Sequence, residues 1–163
     1  MIENKTISVW LMLNDGKNKG KVVLQKRSEH NKTFHNLCQA TWAGKAEPNE
    51  TVESAIKREC AEELGEKFCG KFDFSKLEFL GKEYFTIENK KWESYNYLGN
   101  VSEEILKMAD LHSESLPELV FVGTKDNFYS VKSKKDPQNN IVLFDDQYKI
   151  LSTILNGVKG NNK

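Results

Sequence analysis

The sequence carries no excess of either charge: lysine plus arginine number 24, as do aspartate plus glutamate, over 163 residues. A balanced chain offers duplex nucleic acid or an anionic membrane no long-range field, so neither is expected as a main partner. A small phosphorylated ligand needs only local charge and stays open. Cysteine is scarce. Cys38, Cys60 and Cys69 are odd in number and none lies in a two-residue spacing, which argues against a disulfide framework and a zinc site and suits reduced thiols in the cytoplasm. Long apolar runs are missing too. The run at residues 9–13 is too short for a signal-peptide core or a membrane span, and no other stretch approaches spanning length. Internal repeats, low-complexity blocks and a glycine-rich phosphate loop are likewise absent.

What remains is an ordinary globular balance, 38% hydrophobic and 29% charged, in a chain sized for one domain with a real core. We place that domain at residues 1–157 and expect 158–163 to be a disordered tail. Residues 7–13 and 21–27 read as strands, and 28–43 as mostly loop. Residues 77–87 and 92–101 read as a hairpin around Glu88-Asn89-Lys90. Ser102 is placed to cap a short helix through about residue 111. Short strands follow at 119–122, 128–131 and 141–144, with 132–140 a polar loop. Asp145 opens a last helix with Tyr148, Leu151, Ile154 and Leu155 on one face. Strands and helices without regular βαβ alternation predict a mixed sheet packed between helices.

The chemistry concentrates in residues 44–66, GKAEPNETVESAIKRECAEELGE. Its first part reads as a loop, in which Gly44 permits close backbone approach and Asn49 tolerates a left-handed turn after Pro48. A helix follows from residue 50 or 51 to 64, stopped by Gly65. Val52, Ala55, Ile56, Cys60 and Leu64 form an apolar stripe, while Glu59, Glu62 and Glu63 fall within about a quarter of the circumference. Like charges at this spacing repel, and the macrodipole disfavours them near a helix C-terminus. A divalent cation reverses the sign of both effects, and clustered carboxylates are the oxygen ligands that Mg2+ or Mn2+ takes. Arg58 is positioned to hold Glu50 and brace the loop against the helix. Taken alone, E-x-x-E-E is more often a solvated helix face than a metal site.

The longer spacing decides between these. The segment resembles the Nudix box, G-x5-E-x7-R-E-U-x-E-E-x-G-U with U apolar. Gly44, Glu50, Arg58, Glu59, Glu62, Glu63 and Gly65 occupy every fixed position. Cys60 is a soft apolar choice at the first U, and Glu66 departs from the pattern at the last. Ala43 and Asn49 stand where many members have glycine. The resemblance implies a Nudix-like α/β/α sandwich around a mixed central sheet, with the box as loop-helix-loop. It implies metal-dependent hydrolysis of a phosphoanhydride bond in a nucleoside diphosphate linked to another moiety. It implies that Glu59, Glu62 and Glu63 hold magnesium or manganese and that Arg58 and Glu50 support them. It also implies that Arg27, ending the second strand, meets a substrate phosphate, and that Ala43 can offer its carbonyl to the metal.

For the general base, Glu59, Glu62, Glu114 and Glu118 all stay open. Trp92, Tyr95 and Tyr97 are candidates for stacking a base, with strand packing as the simpler account. Lys132, Lys134 and Lys135 read as a solvated loop. His30, His35 and His112 share no ligand spacing, and Cys38 reads as a semi-buried thiol. An isopentenyl-diphosphate isomerase-like enzyme and a non-catalytic binding module are the alternatives. The first wants a cysteine close to the box glycine, whereas Cys38 precedes Gly44 by six residues. The oligomeric state is open.

Overall fold

A computed structural model describes residues 4–29, 34–111, 117–133 and 136–161. The first strand, β1 (Asn4–Leu13), is the organising element. Along one edge it runs parallel to β6 (Lys90–Val101) over its whole length. β5 (Glu78–Ile87) pairs antiparallel with β6 and ends the sheet on that side.

The other edge of β1 is shared. Thr6 to Val9 pair with β4 (Trp42–Lys45), whereas Leu11 and Met12 pair with β2 (Val22–Lys26). β2 continues the sheet in two directions, to β7 (Glu118–Val122) and to β3 (Cys38–Gln39). β3 leads on through β9 (Val142–Leu143) to β8 (Tyr129–Ser130), both contacts parallel. The sheet is therefore mixed and split, with β2 and β4 diverging from β1.

Thr41 sits in the split and is fully buried. Its hydroxyl accepts from the Leu11 amide at 2.9 Å and donates to the Val23 carbonyl at 2.6 Å, replacing a ladder bond with a side-chain bridge. Gln147 seals the other side, accepting from the Ala40 amide at 3.2 Å and donating to Ser8 Oγ at 3.4 Å. The backbone groups freed by the divergence thus find side-chain partners, as buried amides and carbonyls must.

Alternation along the strands gives each face its own core. On one face Ile7, Val9, Leu11, Val23 and Trp42 pack under α1 (Val52–Leu64). α2 (Glu66–Lys71) and α3 (Glu103–Leu106) adjoin it, contributing Phe68 and Leu106 to the same core. Trp42 anchors α1 directly: its indole N–H donates to the Ile56 carbonyl at 3.0 Å, and Phe68 and Phe72 meet its ring edge-on. On the other face Trp10, Leu24, Cys38 and Leu143 pack under α4 (Asp145–Asn161), which contributes Leu151, Ile154 and Leu155. Helices on both faces of a mixed sheet make the expected α/β/α sandwich.

Several local expectations change. Gly44 and Lys45 are not loop but the end of β4, and residues 28–43 include β3 and the start of β4. Gly65 ends α1, but its φ of 88° turns the chain straight into α2, because Phe68 is drawn under Trp42. The Ser102-capped helix ends at Leu106. Residues Val131–Ser133 form a 3-10 turn. α4 runs to Asn161.

The Thr41 bridge makes a prediction. Thr41→Val keeps the shape but strands a buried donor and a buried acceptor, so it should lower unfolding stability by about 1–3 kcal/mol. Thr41→Ser should recover most of that, as read from urea denaturation of the three proteins.

Candidate active site

The loop before α1 is built from a tight turn. Glu47 accepts from the Glu50 amide at 3.0 Å across Pro48 and Asn49, and Asn49 takes a φ of 66°. Thr51 then caps α1, its hydroxyl accepting from the Ser54 amide at 3.1 Å. These two devices bring the Glu50 side chain back over the turn, where one oxygen accepts from the Glu47 amide at 2.9 Å.

Arg58 gathers the site. Its Nε and Nη2 grip the two Glu50 oxygens at 2.9 and 3.0 Å, a bidentate pairing that only guanidinium geometry supplies. Nη2 also donates to the Lys45 carbonyl at 2.9 Å, tying β4 to the helix. Nη1 reaches Glu59 at 2.9 Å and Glu62 at 3.3 Å. The expected Arg58–Glu50 brace is therefore present as an ion pair. The guanidinium beside Glu50 holds that carboxyl down at about 2, and Glu50 in turn pushes Arg58 well above its ordinary value.

The acidic residues of α1 are not equivalent. Glu62 points outward, its side chain 58% exposed. Glu59 lies inward against Gly44, where a Cβ would fall inside the Glu59 carboxyl group. The absence of a side chain at Gly44 is what lets this carboxylate lie against β4. Burial raises the Glu59 carboxyl above its ordinary value, with Arg58 opposing. Glu63 turns further in, toward the split between β2 and β4. One of its oxygens accepts from the Ala43 amide at 3.1 Å, and the Gln25 side chain on β2 bonds it as well. Burial pushes it up to about 8. Among the described residues no lysine, arginine or histidine forms an ion pair with it.

Among the described residues no group of three or more His, Cys, Asp or Glu side chains is arranged to hold a metal ion. Glu59 and Glu62 meet at Arg58, whereas Glu63 is held by Ala43 and Gln25. Glu63 was expected to hold a metal ion with Glu59 and Glu62; its descent into the split does not follow from helical spacing, because it depends on β2 and β4 separating.

Gln25 was missed altogether. It is buried, its amide donating to the Thr41 carbonyl at 3.2 Å, and its placement follows from the strand register alone. Arg27 follows two residues on, one position past the end of β2. Its Nε is buried with no hydrogen-bond partner among the described residues. The side chain lines a cleft of about 360 Å3 with Lys26, Ser28, Asn36, Glu118 and Gln138. Glu118 is paired opposite Lys26 and sits near Cys38, on the α4 side, away from Glu63. Glu114 lies outside the described residues.

The remaining candidates are dispersed. Trp92 stacks on Phe85 and projects from the face of β6 opposite to Tyr95 and Tyr97, so the three do not form one stacking platform. Tyr97 packs against Phe79. Cys38 is buried under α4, and burial pushes its thiol up to about 11. His35 is exposed and Lys132 pairs with Asp145 at 3.5 Å, while His30, His112, Lys134 and Lys135 lie outside the described residues.

Comparison with known proteins adds family and fold. The NUDIX domain model matches residues 4–139. No curated protein matches the chain. Among solved structures, a MutT protein from Methanosarcina mazei Go1 is 18% identical with a TM-score of 0.60, covering 98% of this chain and 95% of its own. A NUDIX hydrolase from Alicyclobacillus acidocaldarius is 12% identical with a TM-score of 0.62, covering 95% and 91%. A C. elegans Ap4A hydrolase in a binary complex is 12% identical with a TM-score of 0.60, covering 96% and 98%. At these identities the likeness is one of fold.

The state of Glu63 has a measurable consequence in metal-free protein. Its folded value, about 8, lies above the ordinary value of 4.5, so between these the folded chain holds a proton that the unfolded chain has released. The contribution of this group to stability must therefore fall as pH rises through that window and level off above it. Melting curves in EDTA should show this decline in the native sequence relative to Glu63→Gln. Parallel pH profiles for the two proteins would refute the burial of this carboxylate.

Proposed function

The chain belongs to the NUDIX domain family, and from that premise we propose that it hydrolyses a phosphoanhydride bond in a nucleoside diphosphate linked to another moiety, using Mg2+ or Mn2+ held by Glu59, Glu62 and Glu63. The observation that carries this reading is the Glu63 carboxylate, drawn into the sheet split without a cationic side chain to balance it. A carboxyl buried in this way keeps its proton, and ionises readily only when a positive charge reaches it. The donor set is all oxygen, which fits a hard divalent ion. Glu59 and Glu62 would hold such an ion in place of their Arg58 Nη1 bonds, whereas the Arg58 Nε and Nη2 bonds to Glu50 and the Lys45 carbonyl involve neither.

When bound, the cation supplies charge neutralisation on the phosphoryl oxygens and lowers the pKa of a water. The side chains do the rest. Arg58 and Glu50 fix the loop and helix so that the carboxylates need little reorganisation. Glu59 or Glu62 accepts the proton of the attacking water. Arg27, with its unpartnered buried Nε, donates to a phosphate entering along β2. The substrate is a small phosphorylated nucleotide. The C. elegans relative, named an Ap4A hydrolase, makes a dinucleoside polyphosphate the first compound to try.

The isomerase alternative is disfavoured by Cys38, which sits in the α4-side core with its thiol raised. The binding-module alternative is separated by activity. A panel of dinucleoside polyphosphates, nucleotide sugars and nucleoside triphosphates with Mg2+ should give phosphate-bond cleavage that EDTA abolishes. Glu62→Gln and Glu63→Gln should each lower kcat by roughly 10^2–10^3 with the fold retained. Near-normal turnover in both variants, or cleavage indifferent to EDTA, would sink the assignment.

A further inference from the structure

Strand β5 ends the sheet: among the described residues it pairs with β6 alone. Its surface differs from the rest of the protein. The exposed large hydrophobic side chains Phe79 (50%), Leu80 (38%), Tyr84 (63%) and Ile87 (54%) all belong to it, and among the described residues only Phe34 lies elsewhere. A 10-residue edge strand with exposed apolar side chains and no proline is a template for a further strand.

The register of that strand can be derived. Glu88 and Asn89, with φ of 50° and 64°, make a two-residue hairpin turn of the mirror-image kind. Its closing pair, Ile87 with Lys90, exchanges backbone bonds across the hairpin. Alternation then directs the N–H and C=O groups of Phe85 and Glu83 toward β6 and those of Thr86, Tyr84 and Lys82 to solvent. The outward groups are symmetric about Tyr84, so they complement an identical strand running the other way.

We propose that β5 is a dimerisation edge, on which a second copy of this chain adds its own β5 antiparallel about a two-fold axis at Tyr84. Tyr84 then pairs with its counterpart and Lys82 with Thr86 of the second copy, each exchanging both backbone bonds. Side chains choose this register over those centred on the two preceding residues. Centring on Glu83 sets that carboxylate against itself, and centring on Lys82 does the same for the ammonium group, both unfavourable directly across strands. Centring on Tyr84 instead opposes Glu83 with Phe85 and brings two aromatic rings side by side. It also sets Ile87 of the second copy opposite Gly81, where a Cβ would meet nothing within 4 Å. That open space admits the isoleucine side chain.

The experiment is sedimentation equilibrium across the micromolar to submillimolar range, on the full chain without added ligand. The native protein should show a concentration-dependent dimer. Tyr84→Pro removes one outward N–H but none of the inward bonds to β6, so it should sediment as a monomer with an unchanged circular dichroism spectrum. Tyr84→Cys, which needs no special backbone, covers the case in which the proline variant misfolds. Mild oxidation should convert it to a reducible covalent dimer well beyond the native background, and Thr86→Cys should not follow, because Thr86 does not meet itself. A native protein that stays monomeric throughout, a dimer that survives in folded Tyr84→Pro, or equal crosslinking of the two cysteine variants would overturn the proposal.

Discussion

One guanidinium holds the site together. Arg58 bonds the loop at Glu50, strand β4 at the Lys45 carbonyl, and its own helix at Glu59 and Glu62. Its side chain is 26% exposed and that of Glu50 only 11%, so this is not a solvated surface pair of negligible worth. Its planar fork matters more than its charge, since a lysine could neutralise Glu50 but could not reach a carbonyl and two further carboxylates in fixed directions. The same contacts answer the objection that local stability raises against three glutamates near a helix end. Repulsion between Glu59 and Glu62 is relieved by the Nη1 group between them, and the loop cannot drift from the helix while Glu50 is gripped.

The second constraint is the divided sheet. Because β1 gives part of its free edge to β4 and part to β2, the two partners diverge, and a gap opens beneath α1. Thr41 and Gln147 keep that gap from being a defect by satisfying the backbone on either side of it. Glu63 enters where Ala43 of β4 and Gln25 of β2 come within reach of one carboxylate. The position of Arg27 follows from the same strand. The site is therefore a product of topology as much as of the helix, and the hydrophobic anchor of Trp42 beneath Ile56 sets the helix at the height that lets its carboxylates reach the split.

This division explains what the sequence made legible. Gly44, Glu50, Arg58 and the glutamates stand at spacings set by one turn and one helix, and local geometry transmits spacing faithfully. The Asn49 turn and the Gly65 stop were readable for the same reason. What stayed hidden lies across the sheet. Gln25 is an unremarkable polar residue in an apolar strand until β4 is placed beside it. Gly44 suggests a loop when read along the chain, but its role is set by a carboxylate that arrives from a helix fifteen residues on in sequence. β3 and β9 are each two residues long and exist only because they pair with each other and with their neighbours. α2 follows a glycine that should end a helix, and it forms because Phe68 and Phe72 complete the aromatic packing around Trp42.

Glu59 and Glu63 show where stability and chemistry pull apart. A carboxylate raised by burial subtracts from folding stability whenever it is ionised, and each of these could be relieved by pointing outward as Glu62 does. Neither can turn out freely. Gly44 leaves room for Glu59 against β4, and the Ala43 amide and Gln25 fix Glu63 in the split. Three residues on two strands, Gly44, Ala43 and Gln25, thus keep two carboxyl groups where solvation alone would not hold them. The cation proposed above would relieve this conflict, because carboxylate oxygens suit a hard divalent ion. The burial of these carboxyl groups has a single origin, the meeting of α1 with the diverging strands β2 and β4, which is why the split sheet and the acidic helix have to be understood together.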